Sequence, residues 1–253
     1  MRLARRAISG VRHRIRQLRF ASVLADTRHR PTILCASIGR VGSTLLYQSI
    51  IQARARSIFG SFTPSDTALL SHACWDLGRE SIRPGYVIKT HDLPYHLVAT
   101  TPMKVVFLFG RPSDTVLSVL RRVRDRGPTW HQRHWRHMHA MGDFADVIER
   151  DVMRLEEQID AWPAVTGIPV LAINYEAIWA VQPILEDFLG FAVPLPTRRD
   201  RSFDDMDPLI VSRVRHAYAR LDDKVAGMPL YLWSDCNWTG GPKSNIRGHV
   251  VAR

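Results

Sequence analysis

The sequence predicts an α/β fold of three layers, with a central, mostly parallel sheet flanked by helices. Three observations carry this expectation. Four short runs, Thr32–Ser37, Tyr86–Thr90, Lys104–Gly110 and Ile168–Asn174, are almost continuously apolar, the pattern of strands covered on both faces. Helical patterns lie between them, which implies βαβ units. Finally, glycines, hydroxyls and cations gather just after these runs, where parallel sheets bind their ligands.

The first run leads into "ASIGRVGSTLL". Gly39 and Gly42 let the chain turn with its N–H groups facing inward, and Ser43 and Thr44 open a helix expected over residues 43–54. The unpaired N–H groups of that helix attract an anion, and Arg40 adds a fork of donors. A tight turn with helix-capping hydroxyls is the plainer alternative. The usual triphosphate signature places Lys between the second glycine and Ser/Thr. Here Gly42 is followed directly by Ser43.

The second run ends in "VIKTHDLP", which sets Lys89 and the potential general base His91 at a strand end. A polar histidine satisfied near a turn is the alternative. The third ends in "FLFGRPSDTVLSVLRR", where a helix is expected over 113–123. Asp114 is positioned as a cap, and Arg111 and Ser118 form a candidate second phosphate site. Val152, Leu155, Ile159 and Trp162 form a stripe that predicts a helix over 151–162. Ile178, Ile184, Leu185, Phe188 and Leu189 predict another over 178–190.

The net charge of +11 is local. Residues 1–60 hold 12 Arg, no Lys and one acid, Asp26, whereas the remaining 193 residues are balanced at 23 basic and 23 acidic side chains. Residues 1–20 carry seven Arg and no acid, with Ile8, Val11, Ile15 and Leu18 at helical spacing. This N-terminal arm, residues 1–30, has two open readings. One is a basic helix on an anionic membrane surface or an organelle-targeting segment; the other is a docked or poorly ordered arm. No recognition motif accompanies the charge, so nucleic acid is not expected as a partner. No run reaches the 18–20 apolar residues of a bilayer span, and no secretory leader stands at the N-terminus. Three scattered cysteines suit reduced thiols in a cytoplasmic protein.

"WHQRHWRHMHA" places His131, His134 and His137 at i, i+3 and i+6, with His139 beyond. No carboxylate or Cys joins them at ligand spacing, so metal is not the expected use. An acceptor-side lid with Trp130 and Trp135 remains open beside a packed or solvated helix.

Taken in order, "GRVGST", "KTH-LP", "GRPSDTVLS" and "INYEAI...ILEDFLGF" resemble the sulfotransferases that use 3′-phosphoadenosine 5′-phosphosulfate (PAPS). The similarity runs from about Pro31 to Phe191 and continues faintly to the C-terminus. The resemblance implies a P-loop-type fold in a single domain over residues 31–253, with PAPS as donor and no metal. It implies that Arg40, Gly42, Ser43 and Thr44 bind the 5′-phosphosulfate. Lys89 would support the transferring sulfuryl group, His91 would take the acceptor's proton, and Ser118 would bind the 3′-phosphate. Gly110 stands where the family has an arginine, and Arg111 follows one residue later. Asp92 is an extra residue before Leu93-Pro94, and Leu45 stands where some relatives have a tryptophan. Lys243 and Arg247, in "WTGGPKSNIRG", are candidates for the family's C-terminal clamp. The acceptor could be carbohydrate, lipid or a small phenol or alcohol, walled by segments around 57–82, 125–145 and 192–207. The rival expectations are a P-loop small-molecule kinase and a non-catalytic module that binds a phosphonucleotide or anion.

Overall fold

The computed structural model describes residues 31–99, 101–236 and 244–247, together with Arg14 and Leu18, both helical and exposed. The rest of the basic arm lies outside the described residues, as does Lys243. Seven strands form one sheet in the order β2-β3-β1-β4-β5-β6-β7. They are β1 (Thr32–Ser37), β2 (Ser71–Ala73), β3 (Val87–Thr90), β4 (Met103–Phe109), β5 (Val170–Asn174), β6 (Tyr231–Cys236) and β7 (Ser244–Arg247). Pairing is parallel from β2 through β5 and antiparallel at β5–β6 and β6–β7. The expected α/β fold with a mostly parallel central sheet is therefore present.

The four expected strands correspond to β1, β3, β4 and β5. All six residues of β1 are buried, as its apolar run requires. In register, Ala36 lies between Thr90 and Phe107, so β1, β3 and β4 end together. The chain turns toward β2 after β1 and toward β5 after β4, which opens a crevice between their carboxyl ends.

Among the described residues from 31 onward, eight α-helices accompany the sheet: α1 (Ser43–Phe59), α2 (Pro64–Leu70), α3 (Pro112–Arg126), α4 (Pro128–His137), α5 (Leu155–Ala161), α6 (Gln182–Leu189), α7 (Pro208–Ala217) and α8 (Ala219–Gly227). The helix expected from residue 151 starts only at Leu155. Arg154 adopts a left-handed conformation (φ 58°), and the Asp151 carboxylate accepts from the N–H groups of Leu155 (3.0 Å) and Glu156 (2.9 Å). Asp151 thus stops the pattern where the apolar stripe would have carried it on. The helix expected from 178 likewise starts at Gln182, after a 3₁₀ turn over Tyr175–Ala177. Pro183 suits that first helical turn. Asp114 lies in the first turn of α3 but is not its cap; it pairs with Arg215 of α7.

Trp162 is fully buried. Its ring packs 5.9 Å from that of Phe107 on β4, and its Nε1–H donates to the Asp92 carbonyl at 3.1 Å. Core packing is thereby tied to the segment after β3. Trp162→Ala is expected to cost about 3–5 kcal/mol in chemical denaturation. Trp162→Phe should cost about 1–3 kcal/mol, because it strips the Asp92 carbonyl of its buried donor.

Candidate active site

The turn after β1 coils tightly because Gly39 (φ 75°), Arg40 (φ 52°) and Gly42 (φ 78°) are all left-handed. Gly42 has a second constraint. A Cβ there would stand 2.2 Å from Cε2 of Tyr175, whose ring is buried after β5. Gly42 is also the N-cap of α1, and no side chain caps that helix. Its first turn contains no acid, so the free N–H groups and the positive end of the helix are left for an anion.

The turn forms one wall of a cleft of about 470 Å³. Arg40, Lys89, Arg122, Arg133 and Arg201 all line it, and among the described residues no carboxylate does. Arg40 donates from Nε to Ser118 Oγ at 3.2 Å. Its pKa is lowered by burial and then by the charges of Arg122, Arg201 and Arg121. Lys89 donates from Nζ to Thr44 Oγ1 at 2.8 Å, and burial pushes its ammonium down to about 8. These shifts mark a site with more positive charge than its own groups neutralise.

His91 is buried at the floor of the cleft. Its Nδ1 lies 2.9 Å from Ser37 Oγ and 3.1 Å from the Ser37 carbonyl. A carbonyl can only accept, so this contact places the ring proton on Nδ1 and leaves the lone pair on Nε2. Burial, followed by the charges of Lys89 and His134, holds the imidazole well below its ordinary pKa. It is therefore neutral and able to take a proton. Asp92, the extra residue, supports this segment: its carboxylate accepts from Leu77 N and Leu93 N, and His139 Nε2, hydrogen-bonded to the Trp75 carbonyl, lies 3.1 Å from it.

Helix α4 closes the far side. Trp130, His134 and His137 line the cleft, whereas His131 and Trp135 turn away and pack on Phe144. His134 stacks on Trp130 at 4.7 Å, and His137 lies flat on Trp75 at 4.0 Å. Burial, then Arg40, pushes His134 down to about 3. Among the described residues, no group of three or more His, Cys, Asp or Glu converges as metal ligands would.

Of the residues expected from sequence, Arg40, Gly42, Ser43, Thr44, Lys89, His91 and Ser118 meet in this cleft. Arg111 does not. It is exposed at the N-cap of α3, because Pro112 starts the helix immediately after it and leaves no turn to carry it inward. Arg122 and Arg201 line the cleft instead. Arg122 follows Ser118 by one helical turn, a spacing that could have revealed it; Arg201 and Trp75 sit in irregular segments without such a signal. Arg247 ends β7, and Lys243 lies outside the described residues. No protein-family model matches the chain, and a search of curated proteins also finds no match.

Gly42→Ala is expected to lower stability by about 1–3 kcal/mol in thermal unfolding, from the φ and the clash with Tyr175. His91 and His134 stay neutral in the fold, whereas an exposed histidine protonates near 6.5. The unfolded chain thus takes up protons first, and stability falls as pH drops below about 6.5. Each ring contributes up to about 1 kcal/mol per pH unit there. Unfolding midpoints measured between pH 7 and 5 should show the decline, and His134→Gln should make it shallower.

Proposed function

We propose that this chain is a sulfotransferase that moves a sulfuryl group from PAPS to a hydroxyl or amine, and that its sheet and first turn are of the P-loop type. The observation that carries this reading is the charge of the cleft, where five cations face one space with no carboxylate among them. Such a site suits a polyanion that brings its own negative charge. The left-handed turn and the uncapped start of α1 fit a phosphosulfate. Ser118, Arg122 and Arg201 fit a second phosphate, the place first assigned to Arg111.

Bound PAPS supplies a sulfuryl group already activated by its link to phosphate. His91 Nε2 accepts the proton of the acceptor hydroxyl as the new O–S bond forms. The electron pair of the broken S–O bond remains on the leaving phosphate oxygen. Arg40, Lys89 and the N–H groups of α1 are already in place to stabilise that charge without reorganising.

Transfer of labelled sulfate from PAPS to pooled hydroxyl acceptors tests the reading directly. His91→Ala should lower transfer by about 10²–10⁴-fold, while calorimetric affinity for 3′,5′-bisphosphoadenosine stays within a small factor. Unchanged transfer would remove His91 as the base. Tighter binding of ATP-magnesium than of the bisphosphate would favour a kinase instead. Affinity for the bisphosphate should decline as pH rises through 8 and Lys89 loses its proton, and Lys89→Arg should flatten that decline.

A further inference from the structure

The cleft holds one cation more than the donor requires. A 3′-phosphate and a 5′-phosphosulfate together carry about four negative charges near neutral pH. Arg40, Lys89, Arg122 and Arg201 match them, and Arg133 is left over.

Arg133 stands on the α4 wall of the cleft, one helical turn before His137. His137 lies flat on Trp75, with ring centroids 4.0 Å apart and an interplanar angle of 2°. Trp75 in turn stands 5.4 Å from the ring of His91. Arg133 and this aromatic pair thus share the part of the cleft wall that stands beside the general base. No residue of α4 is acidic, so the helix offers Arg133 no partner of its own.

We infer that the acceptor is an anion, a ring-bearing hydroxyl compound with a carboxylate, whose ring meets the Trp75–His137 pair and whose negative group meets Arg133. This rests on the proposed transfer reaction and narrows its acceptor. Flat apolar rings next to a guanidinium select that combination, since each half of the ligand has a matching surface. Aromatic hydroxy acids and uronic sugars share this chemistry.

The test uses the full chain saturated with 3′,5′-bisphosphoadenosine, with acceptor binding measured by calorimetry. Para-hydroxybenzoate is compared with its amide, and methyl glucuronide with methyl glucoside. In at least one pair the carboxylate should bind about tenfold tighter, the size of one charge-assisted hydrogen bond. The pair that shows the preference identifies the source. Arg133→Gln should shrink the preference to less than about twofold. Arg126→Gln removes the same charge from an exposed position at the end of α3, outside the cleft, and should leave the preference intact. The inference is overturned if the neutral member binds as tightly in both pairs, if none of the four compounds binds, or if the two variants behave alike. Failure of the bisphosphate itself to bind would instead remove the underlying reaction, and this inference with it.

Discussion

Like charges repel, and among its described residues this protein gathers five cations around one cleft without an acid to relieve them. That crowding is the constraint on which the rest of the architecture depends. Arg40 is held in a left-handed backbone conformation and tethered to Ser118, while Lys89 is tethered to Thr44. Neutral hydroxyls fix the direction of each cation without cancelling its charge. Carboxylate partners would have cancelled the positive charge that the cleft now presents. The ion pairs lie elsewhere, as where Asp114 meets Arg215 and Glu156 meets Lys224.

A second layer keeps this arrangement in place. Tyr175 presses on Gly42 from the end of β5, so the shape of the anion turn depends on a strand two positions away in the sheet. Asp92 gathers the N–H groups of Leu77 and Leu93 and the ring of His139. Trp162 then anchors the Asp92 carbonyl to the core. The placement of the His91 ring is therefore set by its neighbour, by Ser37 on the adjacent strand and by a tryptophan beyond position 160. Each is a modest interaction. Together they convert core packing into the orientation of one imidazole.

Much of this was legible in the sequence because the chemistry is contiguous there. The anion turn and the start of α1 occupy a few adjacent residues, and Lys89 and His91 follow directly on a strand. The strands β1, β3, β4 and β5 were legible because central strands of a parallel sheet are apolar on both faces. What escaped detection either lacked periodicity or depended on folding at a distance. Strand β2 is three residues long and reads Ser-His-Ala, and no apolar run announces it. Arg201 and Trp75 reach the cleft from irregular segments that acquire a direction only when the chain folds. In α4 every face carries a histidine or a tryptophan, so the pattern could not show which face turns inward. Arg111 illustrates the opposite error. A shift of one residue looks tolerable along the chain, but beside Pro112 it moves a side chain from the cleft to solvent.

Gly39 makes contact with the helix opposite. A Cβ at that position would meet Met138 Sδ at 3.0 Å and His134 Cε1 at 3.3 Å. The turn after β1 and the α4 wall of the cleft are thus seated directly against each other. Anyone grafting a new specificity onto this scaffold inherits that joint. Exchanging side chains of α4 other than His134 leaves the seat undisturbed, whereas changing His134 or Met138 would press on the turn after β1. The turn and the helix are in this sense one unit, and they must be redesigned together or not at all.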